Sequence, residues 1–276
     1  MRAPRPSRPK PGGAGGVSTV SLRQKFALAR HRDKIGPDAQ TGSDMALDRS
    51  LISGLPAFAG LTAKELDAIL AQARAVRIAK DAEIFSQDEK ARHFFLLLSG
   101  HVRVVRTTPT GESVIARYIN AGELLGIAVA LGAPTYPASA IAAVDCVVLA
   151  WPNSAWASLA ASFPAFAVGV NRLIGSRLQQ TQDRVVEMST QQVEQRIAAA
   201  VLRLANQAGR KTSEGIEIDF PVTRQNIAEL TGCTLHTVSR TLSAWQTTGI
   251  VQGGRQRVVV TDLRALALIA QGEAKA

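Results

Sequence analysis

Between residues 76 and 151 the chain is written in short β-type runs, and from 153 to 208 it is written almost wholly as helix. The runs lie near 76–78, 83–86, 93–98, 101–107, 113–119, 139–142 and 144–151, parted by turn signals such as "LSGH", "TPTGE", "NAGE" and "GAPTYP". Many short strands at about ten-residue spacing specify a β-sandwich or barrel, with Gly100, Gly111, Gly122 and Gly126 at its corners. The chain is therefore α+β, β unit first and helices after.

The segment ahead of the β unit has a different character. "MRAPRPSRPKPGGAGGVSTV" is rich in Pro, Gly and Arg and lacks periodic apolar residues, so it cannot bury enough surface to offset its ordering entropy. Residues 1–48 read as a disordered basic tail. Its first acidic residue is Asp33 and it has no long apolar stretch, which leaves open an inert tail, a basic arm touching nucleic acid or a targeting peptide. A natural start at Met45 is open as well. Further on, "LISGLPAFAGLTAKELDAILAQA" predicts a turn and then a helix, with Thr62 as N-cap and Glu65 as its capping-box partner.

Within the helical stretch Ala167, Asn171, Ile174, Leu178, Thr181, Val185 and Met188 recur at alternating steps of four and three. That is a coiled-coil seam of about three heptads, with Arg172, Arg177, Gln180 and Arg184 on its polar outer faces. A helix packed on its own β unit is the alternative; the seam's length, and Asn171 and Thr181 within it, favour a dimer. "MSTQQ" then supplies a joint, with Ser189 or Thr190 capping a new helix whose apolar face is Val193, Ile197, Val201 and Leu204, and Gly209 ending it.

The C-terminal part starts with a strand, "IEIDF", followed by Pro221 and Thr223 as an N-cap. In "VTRQNIAELTGCTLHTVSRTLSAW" three residues fall where a helix-turn-helix requires them: small Ala228 where the helices approach, Gly232 in the turn, and branched Val238 under the second helix. Ile227, Leu230, Leu235, Val238, Leu242 and Trp245 are the expected apolar contacts, which leaves Thr234, His236, Thr237, Ser239, Arg240 and Ser243 mostly outside. "GIVQGGRQRVVV" adds two β runs about Gly253 and Gly254, a basic wing, and a last helix spans 263–270. The second helix of the motif should lie in a DNA major groove. There Arg240 pairs with guanine, His236 and Ser239 reach base edges, and Thr223, Gln225, Thr234, Thr237, Arg255 and Arg257 hold phosphates.

Composition narrows the remaining classes. No apolar run approaches the roughly 18 residues of a spanning helix; the most apolar, "LGIAVALGAP", is broken by glycine and proline. The two cysteines, Cys146 and Cys233, are far apart and suggest no disulfide framework, so a reducing cytoplasm is expected. His31, His93, His101 and His236 never fall at zinc-ligand spacing, and no phosphate loop, nucleophile elbow or carboxylate pair is present, so no enzyme is expected. The formal charge of +10 suggests a polyanionic partner, but residues 1–44 hold nine Lys or Arg and three Asp, so most of it lies in the tail. Global charge is thus weak evidence for DNA binding.

Over residues 50–272 this order of parts resembles the CRP/FNR family of bacterial transcription regulators, the likeness carried by "FFLLLSGHVRVVRTTPTGE", "INAGELLG" and "VTRQNIAELTGCTLHTVSR". The resemblance implies a cyclic-nucleotide-binding-like β-roll over 49–152, a dimerisation helix and hinge over 153–190, and a winged helix-turn-helix over 191–272. It further implies a homodimer on palindromic double-stranded DNA, contact with RNA polymerase, and a small effector near Gly122, Glu123, Leu124, Gly126, Ile127 and Tyr136.

Departures from the family pattern matter. Where cyclic-AMP-binding members have a glutamate after the glycine and an Arg-Ser or Arg-Thr pair farther on, this chain has Ile127 and "PTYPA". A cyclic phosphate would enter an apolar pocket unpaired, at a cost of several kcal/mol, so cyclic AMP is not the expected ligand. Two cysteines cannot hold an iron-sulfur cluster that needs four. "TLHTVSR" and "DRVVEM" are most similar to the nitric-oxide-responsive and nitrite-responsive denitrification regulators, which brings in haem, with His93 or His101 as axial ligand. His236 replaces the family's usual base-reading glutamate, so the operator does not carry over. The competing class is an effector-binding module that docks on protein and no longer binds DNA.

Overall fold

The computed structural model describes residues 47–273. The expectations placed on residues 1–46, including the alternative start, lie outside them.

Asp48 caps a 3-10 turn, Arg49–Leu51, and a second turn, Pro56–Phe58, leads to helix α1, Ala63–Leu70. The capping box forms as the sequence predicts. Thr62 accepts from the Glu65 N–H, while the Glu65 carboxylate accepts the Thr62 N–H at 2.6 Å. Such a cap is worth about 1 kcal/mol.

Eight strands follow: β1 (Arg74–Ile78), β2 (Glu83–Phe85), β3 (His93–Ser99), β4 (His101–Thr107), β5 (Ser113–Asn120), β6 (Leu124–Leu125), β7 (Ser139–Ala142) and β8 (Cys146–Pro152). They form two four-stranded antiparallel sheets, in the orders β1-β8-β3-β6 and β2-β7-β4-β5. The continuous apolar run Phe94 to Leu98 in β3 is buried throughout, as a strand covered on both faces requires. On one side of that sheet Phe94 stacks on Trp151 at 5.4 Å, and Phe58, Trp156 and Phe166 complete the cluster. The Trp151 indole N–H donates to the Ile69 carbonyl at 2.8 Å, which ties α1 to β8.

Helix α2 (Trp156–Ser162) turns at Pro164 into α3 (Pro164–Thr190), 27 residues long and thus about 40 Å in length. A Cβ at Gly169 would stand 2.4 Å from the Ala57 carbonyl oxygen, so glycine is what lets α3 lie against the Pro56–Phe58 turn. The expected joint at "MSTQQ" sits slightly later than read. The Ser189 and Thr190 hydroxyls donate to the carbonyls of Val185 and Val186 at 2.8 Å, the usual arrangement of such residues inside a helix. Gln192 caps α4 (Val193–Ala208) instead, in a reciprocal box with Gln195.

The C-terminal unit comprises β9 (Gly209–Lys211), β10 (Ile216–Ile218), α5 (Arg224–Thr231), α6 (Leu235–Thr247), β11 (Val251–Gly253), β12 (Val258–Val260) and α7 (Leu263–Gln271). Its strands form one antiparallel sheet in the order β11-β12-β10-β9. Gly209 does end α4, but with extended backbone that starts β9 directly. The core of this unit also takes in Val105, Ile115, Tyr118 and Ala143 of the β-roll. The Phe220 ring lies 4.7 Å from Tyr118 and 4.5 Å from His101, so an aromatic contact joins the two domains.

Candidate nucleic-acid interface and effector region

The helix-turn-helix is built as its sequence requires. Thr223 caps α5 in a box with Asn226, Gly232 makes the turn with φ 64°, and Thr234 caps α6 by accepting the Thr237 N–H at 3.1 Å. Ala228, Val238, Ile227, Leu230, Leu242 and Trp245 are buried. Leu235 is not: as the first residue of α6 its side chain lies over the turn, and it is 48% exposed. It is therefore not part of the buried core.

Along α6 the exposed positions include His236, Arg240, Ser243 and Thr247, spaced at four, three and four residues and so aligned on one face. Helix α6 contains no Asp or Glu. Ser239 is half-buried at the flank of this stripe, and its carbonyl accepts from Arg224 Nη1 at 3.4 Å. Arg224 also reaches Gln246 at 3.3 Å. It joins the two helices, a role no local pattern announced.

The expected phosphate holders are less uniform. Thr223, Thr234 and Thr237 stand at the starts of the two helices, where N–H groups favour an anion. The Gln225 amide donates to Glu229 at 3.0 Å. Arg255 is exposed at the wing tip. Arg257, beside it in sequence, is held by Glu214 at 2.7 Å and Glu217 at 3.3 Å, hydrogen bonds that raise its pKa. Its charge is matched inside the wing, where it braces β10 against the hairpin.

In the β-roll, the expected effector residues do not surround one space. Leu124 and Ile127 pack into the cluster around Trp151, whereas Tyr136 belongs to the other side of the sheet, stacked on Phe85 at 3.9 Å. The Tyr136 hydroxyl accepts from the His93 N–H at 3.1 Å and donates to the His93 carbonyl at 2.6 Å; burial raises its pKa. Gly126 is left-handed, and a Cβ there would stand 3.1 Å from both the Phe85 and Phe95 rings. Aromatic side chains fill the turn where a cyclic phosphate would need polar groups.

Glu123 is the polar hub of the region. It accepts from the Asn120 backbone N–H at 3.0 Å and side-chain amide at 3.3 Å, and faces Arg117 at 3.9 Å. Arg177, expected on the outer face of α3, instead turns inward and donates to the Leu124 carbonyl. Burial, then the neighbouring Arg117, lower its pKa to about 9, which leaves it charged at neutral pH, and its Nε has no partner. Arg184 also turns inward, donating to the Ala116 carbonyl at 2.8 Å.

The two histidines considered for haem are committed differently. His101 Nδ1 lies 3.0 Å from Asn120 Oδ1 and its ring rests on Phe220. His93 is half-buried, and its pKa is lowered by burial and then by Arg74 and Arg92.

The seam on α3 splits between two tasks. Ile174 packs against the β-roll core and Ala167 is half-buried. Asn171 and Thr181 are exposed, as are Leu178 at 58%, Val185 at 60%, Val186 at 59% and Met188 at 52%. No helix among the described residues is long and apolar enough on its own to cross a membrane.

Two family models match this chain: the cyclic nucleotide-binding domain over residues 75–163 and the Crp-like helix-turn-helix domain over 195–269. Among characterised relatives, the cyclic AMP receptor protein of Thermus thermophilus is 29% identical over 221 residues, which are 80% of this chain and 99% of that protein. A CRP-family transcriptional regulator from the same organism superposes with a TM-score of 0.62 at 27% identity, over 71% of this chain and 96% of that one. FixK2 of Bradyrhizobium japonicum shares the fold, with a TM-score of 0.64 at 23% identity, over 74% of this chain and 98% of its own.

Proposed function

This chain belongs to the CRP/FNR family, DNA-binding transcription regulators with an effector-binding domain and not enzymes, and from that premise we propose that it acts as a homodimer on a palindromic duplex, switched by a small effector in the β-roll. The observation that carries DNA reading is the acid-free face of α6, with His236, Arg240 and Ser243 aligned over a buried helix-turn-helix core. Set in the major groove, Arg240 pairs with guanine O6 and N7, and His236 and Ser243 reach neighbouring edges, with Ser239 at the flank. Thr223, Thr234, Thr237 and Arg255 hold the backbone, which positions without specifying. The exposed apolar line of α3 supports the dimer, since a second copy would cover Leu178, Val185 and Met188. Two winged helices would then meet half-sites about one helical turn apart. Such a regulator would act in the cytoplasm and contact RNA polymerase.

Two connections leave the effector region. Arg177 links α3 to the Leu124 carbonyl, and Glu123, Asn120 and His101 run in hydrogen-bonded sequence to the Phe220 ring of the winged helix. A ligand that engages Glu123 or Leu124 competes with the first and loosens the second. It thereby shifts the population between two aims of the winged helices, which is how a bound molecule acts without touching DNA. Arg117 and Arg177 face the single carboxylate of Glu123, an imbalance that an effector with an acidic group would relieve.

Cyclic AMP is not the ligand of this reading. One relative carries that name, but here the cassette's glutamate and arginine are missing and Phe85 and Phe95 close on Gly126. Haem gains no support from the residues present: His101 is taken up by Asn120 and Phe220, and His93 has its ring 6.1 Å from Phe95 and its backbone bridged by the Tyr136 hydroxyl. A nitric-oxide response through haem gains no support either.

The test is selection of operator sequences by the full chain, with affinity measured across salt concentration. A palindrome and a steep linear fall of log affinity with log salt are expected, from counterion release. A chain that selects no sequence and shows a flat salt response is a protein-docking effector module instead.

A further inference from the structure

A second concentration of guanidinium groups lies outside the effector region, where α3 meets α4 and α5. Arg184, Glu187, Met188, Arg196 and Arg203 line a shallow, open cleft floored by Leu230 and Thr231. Glu187 is already committed, accepting from Arg203 Nη1 at 2.6 and 2.8 Å. Arg184 is anchored to the β-roll through the Ala116 carbonyl. Arg196 is poorly satisfied. Its Nη1 reaches the Met188 carbonyl only at 3.4 Å, and its Nη2 reaches Cys233 Sγ at 3.6 Å, a weak acceptor. Its Nε is buried and has no partner. A buried donor left unpaired is destabilising, and the three lining cations share the single carboxylate of Glu187.

We propose that this cleft binds a small tetrahedral oxyanion of the phosphate class, free or as the phosphoryl group of a metabolite, between Arg184 and Arg196. The planar guanidinium fork suits such an ion, which accepts several hydrogen bonds at once. This site is separate from the effector region of the β-roll and does not depend on it. Arg184 fixes one side of the ion to β5. Arg196 fixes the other to Cys233, the residue before the Thr234 cap of the recognition helix. A bound oxyanion therefore clamps the joint between the long helix and the DNA-reading unit. The occupant is a small ion and not the DNA backbone, because the recognition stripe is on α6 while the cleft is floored by the last turn of α5.

The experiment titrates full-length protein, purified in chloride buffer free of phosphate, with inorganic phosphate and separately with adenosine monophosphate, by calorimetry. Saturable binding is expected, weakened at least about tenfold in Arg196→Gln and in Arg184→Gln and unchanged in Lys64→Gln, at an exposed cation of α1. Saturation by inorganic phosphate identifies the free ion; saturation by the monophosphate alone identifies a phosphorylated metabolite. If circular dichroism shows Arg196→Gln or Arg184→Gln to be unfolded, Arg184→Lys, which keeps the charge and loses the fork, should still bind more weakly. The proposal is overturned if neither ligand saturates, if the folded variants bind as the parent does, or if Arg196→Gln weakens operator binding in phosphate-free buffer while oxyanion affinity stays unchanged.

Discussion

The DNA-reading end and the effector end of this molecule use arginine in opposite ways. Arg240 and Arg255 stand exposed, so they can exchange water and counterions for a polyanion. Arg117 and Arg177 are sunk between β-roll and long helix, where burial lowers their pKa and a backbone carbonyl or a single carboxylate receives them. Surface cations are screened by salt and contribute through on-rate and backbone affinity. Buried cations are costly to unpair, so they make contacts that are either formed or broken. The first kind suits recognition and the second suits a switch.

The widest break of this contrast lies on α3. Leu178→Glu with Val185→Glu places charge on the exposed apolar line, and sedimentation should show monomers with operator affinity reduced by more than about 100-fold, because two half-sites can no longer be held together. If the double variant remains a dimer, the seam is elsewhere. At the reading end, Arg240→Ala should cost about 1–3 kcal/mol on the selected operator and relax one base position, whereas Arg255→Ala should weaken all sequences alike and lower the salt slope by about 1. Equal losses on specific and random DNA from both would remove the role given to Arg240. Arg257→Ala sharpens the same comparison. With Glu214 and Glu217 as its partners, it should leave the salt slope nearly unchanged and lower the melting temperature.

Smaller effects test the β-roll. Tyr136→Phe removes the hydroxyl that bridges the His93 N–H and carbonyl, and should cost about 1 kcal/mol, a fall of roughly 2–4 °C by calorimetry. His93 gives a pH signature. Burial and then Arg74 and Arg92 depress its folded pKa, so the unfolded chain binds the proton more readily. The stability this neutral histidine allows is present above its ordinary pKa of about 6.5 and is lost as pH falls below it toward the folded value. His93→Gln should flatten that part of the acid-side decline in melting temperature, and identical curves would show that His93 does not report on folding.

Local signals explain why the reading end was visible in advance. Thr62 with Glu65, Thr223 as a cap, and Gly232 in its turn are patterns within four residues, and each formed where expected, whereas the Thr234 cap of α6 went unread. Seven of the strands were equally plain from their apolar runs, but β6 is two residues long and exists only because β3 lies beside it. Leu235 looked like core by type, yet its place at the first turn exposes it. Arg177, Arg184 and Arg257 looked like solvent-facing cations, and only the approach of β5, β6 and the β9–β10 hairpin supplies their partners.

By itself, then, the sequence determined the order of β-roll, long helix and winged helix, and the residues that line the recognition helix, because caps, turns and apolar periods are fixed by neighbours a few positions apart. The tertiary structure alone decided that Phe220 rests on His101 and Tyr118, that Arg177 reaches the Leu124 carbonyl, and that Arg184 and Arg196 face one cleft. Those contacts join residues far apart in the chain, and a charged side chain carries no local mark of the partner that folding will bring to it.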